Sequence, residues 1–153
     1  MLKLLTRDKR LRSGVLNLHT LWCPGITPRC IKRFPGAENS WRIYCCTEAP
    51  APGQQDFEIK KPFTQNGQVE HIWLSDVQFV GNRLQGRVDN EARKIQGLKL
   101  GQLVSVKPSE ISDWLYIDHG KLVGGYTVRV QYNELSPKEK QEFDRAADFK
   151  IGK

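Results

Sequence analysis

The chain of 153 residues contains no apolar run long enough to span a bilayer. Its best candidate for a secretory leader, "GVLNLHTLW" at Gly14–Trp22, is broken by Asn17, His19 and Thr20. The expectation is a cytoplasmic protein. The chain also lacks a phosphate loop, a dinucleotide glycine pattern, a nucleophile elbow and an H-E-x-x-H pair. Only three histidines occur. His19 lies in a basic arm, His119 in a turn, and His71 at the start of a strand beside Trp73. Carboxylates and histidines are too scattered to propose a triad or a carboxylate pair. No catalytic residue and no cofactor is therefore expected.

Charge is scarce where a nucleic-acid-binding body would need it. Residues 1–55 hold nine Lys/Arg against three Asp/Glu, while residues 56–153 hold fifteen against fourteen. The formal +7 thus resides almost wholly in the first segment. Polyanion binding would have to come from that segment, and would be weak. Within it, Leu4, Leu11, Val15, Leu18 and Trp22 share one helical face among Lys and Arg. Such a pattern suits an anionic membrane surface, a partner groove, packing on the chain's own domain, or a disordered arm.

All four cysteines, Cys23, Cys30, Cys45 and Cys46, precede residue 50. They form no C-x-x-C pair, and adjacent Cys45 and Cys46 cannot easily turn both sulfurs to one ion. No metal site is expected, and the thiols are read as reduced and inert. "EAPAPGQQ", Glu48–Gln55, reads as a linker. The domains expected are an N-terminal extension over 1–55 and one β-rich domain over 56–153.

The body reads as hairpins. Two alternating runs flank Gly81-Asn82, which suggests a two-residue turn. An unbroken register from that turn sets Phe79 against Leu84, Val77 against Gly86, Ser75 against Val88 and Asp76 against Arg87. A second hairpin turns at His119-Gly120. Its register sets Ile117 against Leu122, Leu115 against Gly124, Trp114 against Gly125 and Asp113 against Tyr126. In that reading Gly125 makes room for the Trp114 indole, Gly124 admits Leu115, and Asp113 accepts from the Tyr126 hydroxyl. "LVSVK" at Leu103–Lys107 is a further strand, and "DFEIKKPF" an edge strand ended by Pro62. Ser136, Pro137 and Glu139 start a terminal helix with an apolar stripe of Phe143, Ala146 and Ala147. The fold class expected is α+β, mainly β. It comprises about five short antiparallel strands in a strongly curved sheet or partly open, SH3-like barrel, with one C-terminal helix.

From about Phe57 to Val130 the chain resembles the bacterial domain-of-unknown-function family 2314. The elements that carry the resemblance are "EHIWL" at Glu70–Leu74, "GRVDNE" at Gly86–Glu91, "GLKLGQLVSV" at Gly97–Val106, "ISDW" at Ile111–Trp114 and "GGYT" at Gly124–Thr127. One departure is Asn90-Glu91-Ala92, where the family pattern tends to place a proline third. The resemblance implies occurrence in bacteria, sometimes as a module of larger proteins, and supplies no activity.

The leading expectation is a non-enzymatic binding module. It would present His71, Trp73, Asn90, Asp113, Trp114 and Tyr126 to a protein or small-molecule ligand. One alternative is an enzyme with His71 as base and Asp113 as its orienting carboxylate. Another is weak nucleic-acid binding through the basic arm.

Overall fold

A computed structural model describes residues 50–80 and 83–152. Six strands form one antiparallel sheet: β1 (Gln54–Gln65), β2 (Gln68–Val80), β3 (Arg83–Val88), β4 (Leu103–Val106), β5 (Asp113–Asp118) and β6 (Lys121–Gly124). Two helices follow, α1 (Tyr126–Glu134) and α2 (Pro137–Ala146). The four cysteines, His19 and the amphipathic segment lie outside the described residues, as do Gly81 and Asn82.

The strand order is β4-β3-β2-β1-β5-β6. The segment after β4 carries the chain back from one edge to the far side of β1, so β4 and β6 remain edges. The sheet is open, and the expected barrel closure is not found. The strand "DFEIKKPF" is not an edge and does not stop at Pro62: β1 is central and runs on to Gln65. The backbone geometry explains why the proline is tolerated. Ser112 N–H donates to the Lys60 carbonyl at 2.8 Å, so Lys60 points away from β2. By alternation Pro62 does too, and β5 begins only at Asp113, opposite Lys60. The missing N–H of Pro62 therefore faces a stretch that β5 does not reach.

Both long strands carry a bulge. In β2 the register runs Gln78 with Gln85, then Ser75 with Arg87, so Asp76 and Val77 share Gly86. In β1, Asp56 and Phe57 share Tyr116 in the same way. The first residue of each bulge has positive φ, 50° at Asp76 and 54° at Asp56. The unbroken register expected for the β2–β3 hairpin thus holds from Val80–Arg83 to Gln78–Gln85 and fails beyond. The bulge shifts side-chain parity, so Ile72 and Leu74 join Val77 in one core and Phe79 packs against it. Gly86 is needed at this crossing, because a Cβ there would lie 2.9 Å from Leu74 Cβ.

The β5–β6 register holds from Asp118–Lys121 to Leu115–Gly124, around the expected His119-Gly120 turn. It then stops. Gly124 and Gly125 both take positive φ, 71° and 64°, and turn the chain out of the sheet. Tyr126 opens α1 rather than facing Asp113 across a ladder. The glycine roles also differ from those expected. A Cβ on Gly124 would lie 2.7 Å from the Trp114 ring, so Gly124 is the residue that clears the indole. Gly125 instead lies against Leu122. The second helix begins as read: the Ser136 side chain caps, Pro137 follows, and Glu139 closes the capping box. Phe143 is buried and Ala147 half-buried, but Ala146 is exposed and outside the stripe.

Two cores result. One face of the sheet gathers Ile59, Ile72, Leu74, Leu84, Val106, Trp114 and Tyr116, with Leu98, Ile111 and other loop or strand residues against them. The opposite face gathers Trp73, Leu115, Ile117 and Leu122 with Val128 of α1 and Phe143 of α2.

Candidate functional site

The sheet register lines up Asp113, Lys60 and Trp73 across β5, β1 and β2. This row lies on the face that carries the helices. Asp113 is 3% exposed, and its carboxylate is fully engaged. Oδ1 accepts from Trp114 N–H at 2.8 Å and Tyr126 N–H at 3.2 Å. Oδ2 accepts from Thr127 N–H at 2.8 Å and from its hydroxyl at 2.6 Å. The N-cap of α1 is Gly125, which has no side chain to offer. Asp113 therefore caps α1 from the neighbouring strand, and its charge complements the helix dipole. The expected acceptor role holds, but the Tyr126 donor is its backbone N–H rather than the hydroxyl.

Lys60, half-buried, points at the same place. Its Nζ donates to Thr127 Oγ1 at 3.0 Å and lies 5.0 Å from the centre of the Trp73 ring. Burial pushes the ammonium below the usual lysine range, and the Asp113 carboxylate offsets this only in part. An ammonium has three donors, of which one is taken by Thr127 and another can face the indole.

Beside this row, His71 Nδ1 lies 2.9 Å from Ser112 Oγ. The Ser112 hydroxyl also reaches the Lys60 carbonyl at 3.2 Å. Both His71 and Ser112 are exposed. Trp73 is 9% exposed, and its N–H donates to Asn90 Oδ1 at 2.9 Å. Asp89 N–H donates to the Trp73 carbonyl at 3.0 Å. Asn90 thus extends the β2–β3 ladder by one side chain and sits buried behind the face.

Of the residues singled out from sequence, His71, Trp73 and Asp113 share one face. Asn90 supports it from within. Trp114 belongs to the opposite core, and Tyr126 stands at the rim, 56% exposed, with its ring edge-on to Trp114 at 6.3 Å. The bonds of His71 go to Ser112 and those of Asp113 to Trp114 and α1, so no hydrogen bond joins the two. Lys60, Ser112 and Thr127 were missed. Thr127, directly after "GGY", carried the clearest signal, since a hydroxyl just past two glycines suits a helix start. A separate notch of about 170 Å³ opens between the two bulges, lined by Asp56, Phe57, Asp76 and Val77. Among the described residues no group of three or more His, Cys, Asp or Glu could hold a metal ion, and no helix is long and apolar enough to cross a membrane.

The chain belongs to the family described as "Uncharacterized protein conserved in bacteria (DUF2314)", whose model matches residues 37–151. The match extends the resemblance at both ends, over the terminal helix and past Cys45 and Cys46. A protein of Neisseria meningitidis serogroup B, whose name carries the words ankyrin repeat protein, is 31% identical over 61% of this chain and 39% of its own length. The uncharacterised Escherichia coli protein YegJ is 36% identical over 47% of this chain and 47% of its own length. The chain spans less than half the length of these curated relatives. No solved structure matches.

Proposed function

We propose that the domain is a non-enzymatic binding module whose ligand seats at Lys60, His71 and Ser112, beside Trp73. The observation that carries this reading is Lys60. A cation drawn half out of water, with donor capacity beyond its bond to Thr127, suits an acceptor group such as a carboxylate or phosphate. Exposed His71 and Ser112 flank it and add polar contacts at the same rim. Asp113 and Asn90 hold the frame and do not touch the ligand.

The test is a titration of succinate, citrate and phosphate into isotope-labelled protein, followed by NMR. Shifts centred on Lys60, His71 and Ser112, with affinity in the millimolar range or tighter, are expected for at least one probe. Lys60→Met should remove them while keeping the fold. Wild-type protein that shows no change there with any of the three would end the reading.

A second reading rests on the 2.9 Å contact between His71 and Ser112, which places a hydroxyl within reach of a base. It requires the Ser112 proton to leave the Lys60 carbonyl for His71 Nδ1. Labelling of Ser112 by a fluorophosphonate, lost in His71→Ala, would make the module an enzyme.

A further inference from the structure

The edge of the sheet at β4 differs in kind from the site above. Val88 N–H donates to the Gln102 carbonyl at 3.0 Å, so the Val88 backbone points at the β4 side. Alternation turns Gly86 and Leu84 the same way, towards their partners Val104 and Val106. Leu103 and Ser105 then direct their N–H and C=O groups outward. Among the described residues nothing pairs with them, and both are exposed, Leu103 at 54%. Leu100, in the turn before β4, is 63% exposed.

Within β3, β4 and the turn before β4 the charge has one sign; the carboxylate just beyond, Glu110, accepts from the Lys107 N–H at 2.7 Å and is paired with Lys61. Residues 83–88 and 97–107 contain Arg83, Arg87, Lys99 and Lys107 and no Asp or Glu. All four cations are exposed. Arg87 lies opposite Leu103 and Gln85 opposite Ser105, so Arg83 and Lys107 complete the same outward face. On the other face of β4, Val104 and Val106 belong to the first core. A strand added at this edge would therefore meet cations on one side and valines on the other. A second copy of the chain would bring the same cations against themselves, so charge disfavours it.

We propose that the β4 edge receives an extended segment of a partner protein in which acidic and apolar residues alternate. Main-chain bonds form to Leu103 and Ser105. The acidic side chains lie towards Arg83, Arg87 and Lys107, and the apolar ones continue the core beyond Val104. This surface is independent of the Lys60 face.

The experiment uses a blocked hexapeptide, Glu-Val-Glu-Val-Glu-Val, with Lys-Val-Lys-Val-Lys-Val as its counterpart. The acidic peptide should bind, slow amide exchange at Leu103 and Ser105, and lose affinity at least several-fold between low and moderate salt. Ser105→Pro removes the outward donor at an edge position that tolerates proline, so it should abolish binding with the melting temperature little changed. Equal binding of the basic peptide would overturn the proposal. So would full binding by Ser105→Pro, or amide protection located at Lys60 and Ser112 instead. A concentration-dependent dimer abolished by Ser105→Pro would assign the edge to a second copy, and protection of the same amides by single-stranded RNA alone would assign it to nucleic acid; either result overturns the peptide.

Discussion

At β6 the Leu122 N–H donates to the Lys150 carbonyl at 2.9 Å, and Lys150 N–H returns a bond to the Gly120 carbonyl at 2.8 Å. At β4 the outward groups of Leu103 and Ser105 meet nothing among the described residues. The β6 edge is sealed a second time by Arg129, whose guanidinium donates to the carbonyls of Gly124, Leu122 and Gly152. Two helices then bury Leu122 and Ile117 beneath Val128 and Phe143. At the other edge four exposed cations surround two exposed leucines. An exposed strand edge is an aggregation hazard, and charged neighbours are a common way to guard one. Among the described residues, the contrast separates an edge whose outward backbone groups are bonded by the chain itself from an edge whose outward backbone groups have no partner.

The largest effect should come from the first core, which spans both halves of the sheet. Trp114 is 5% exposed, stacks near Tyr116 and fits the space left by Gly124. Trp114→Ala should destabilise the domain by about 3–5 kcal/mol, read by chemical denaturation. Because the indole belongs to the core common to β1, β2 and β5, amide exchange should rise across the sheet. Loss confined to one edge would mean that the halves unfold separately.

A smaller effect, local to the sealed half, is expected at Asp113. Its two oxygens accept four bonds, three from N–H groups and one from a hydroxyl. An asparagine offers one acceptor oxygen and sets an NH₂ against donors in either orientation. Asp113→Asn should therefore cost about 1–3 kcal/mol, despite the near-identical shape. Exchange should accelerate in α1 before it does in β3 and β4. A variant as stable as wild type would remove Asp113 as the cap of α1.

What sequence alone made legible follows the range of the interactions. The β5–β6 register was readable because a two-residue turn at His119-Gly120 fixes its neighbours. The second helix was readable because its capping box spans only Ser136 to Glu139. The β2 bulge left a trace in the spacing of Ile72, Leu74, Val77 and Phe79, two then three then two. That trace was overridden by the attraction of an opposite-charge pair at Asp76 and Arg87. Pro62 misled because a proline excludes only one side of a strand, and which side depends on where β5 begins. "YTVRV" reads as strand because Val and Thr favour sheets, yet Asp113 and the second core make it helix. Lys60 was the least legible. Its partner Thr127 is 67 residues away, and only the fold brings them together.

The smallest effect is expected at the open edge itself. Leu103 is 54% exposed and lies on the outward face, opposite Arg87. Its side chain covers no part of either core. Leu103→Thr keeps a residue suited to strands and removes apolar surface that the domain does not bury, so stability should change by about 0.5 kcal/mol or less in either direction. Denaturation beside the Trp114→Ala variant gives the comparison directly. If Leu103→Thr instead cost well over 1 kcal/mol, the leucine would be covered in solution, and β4 would be a sealed edge like β6. A neutral result would show that the leucine is held at the surface without any return in folding stability, as a contact residue for a partner strand would be.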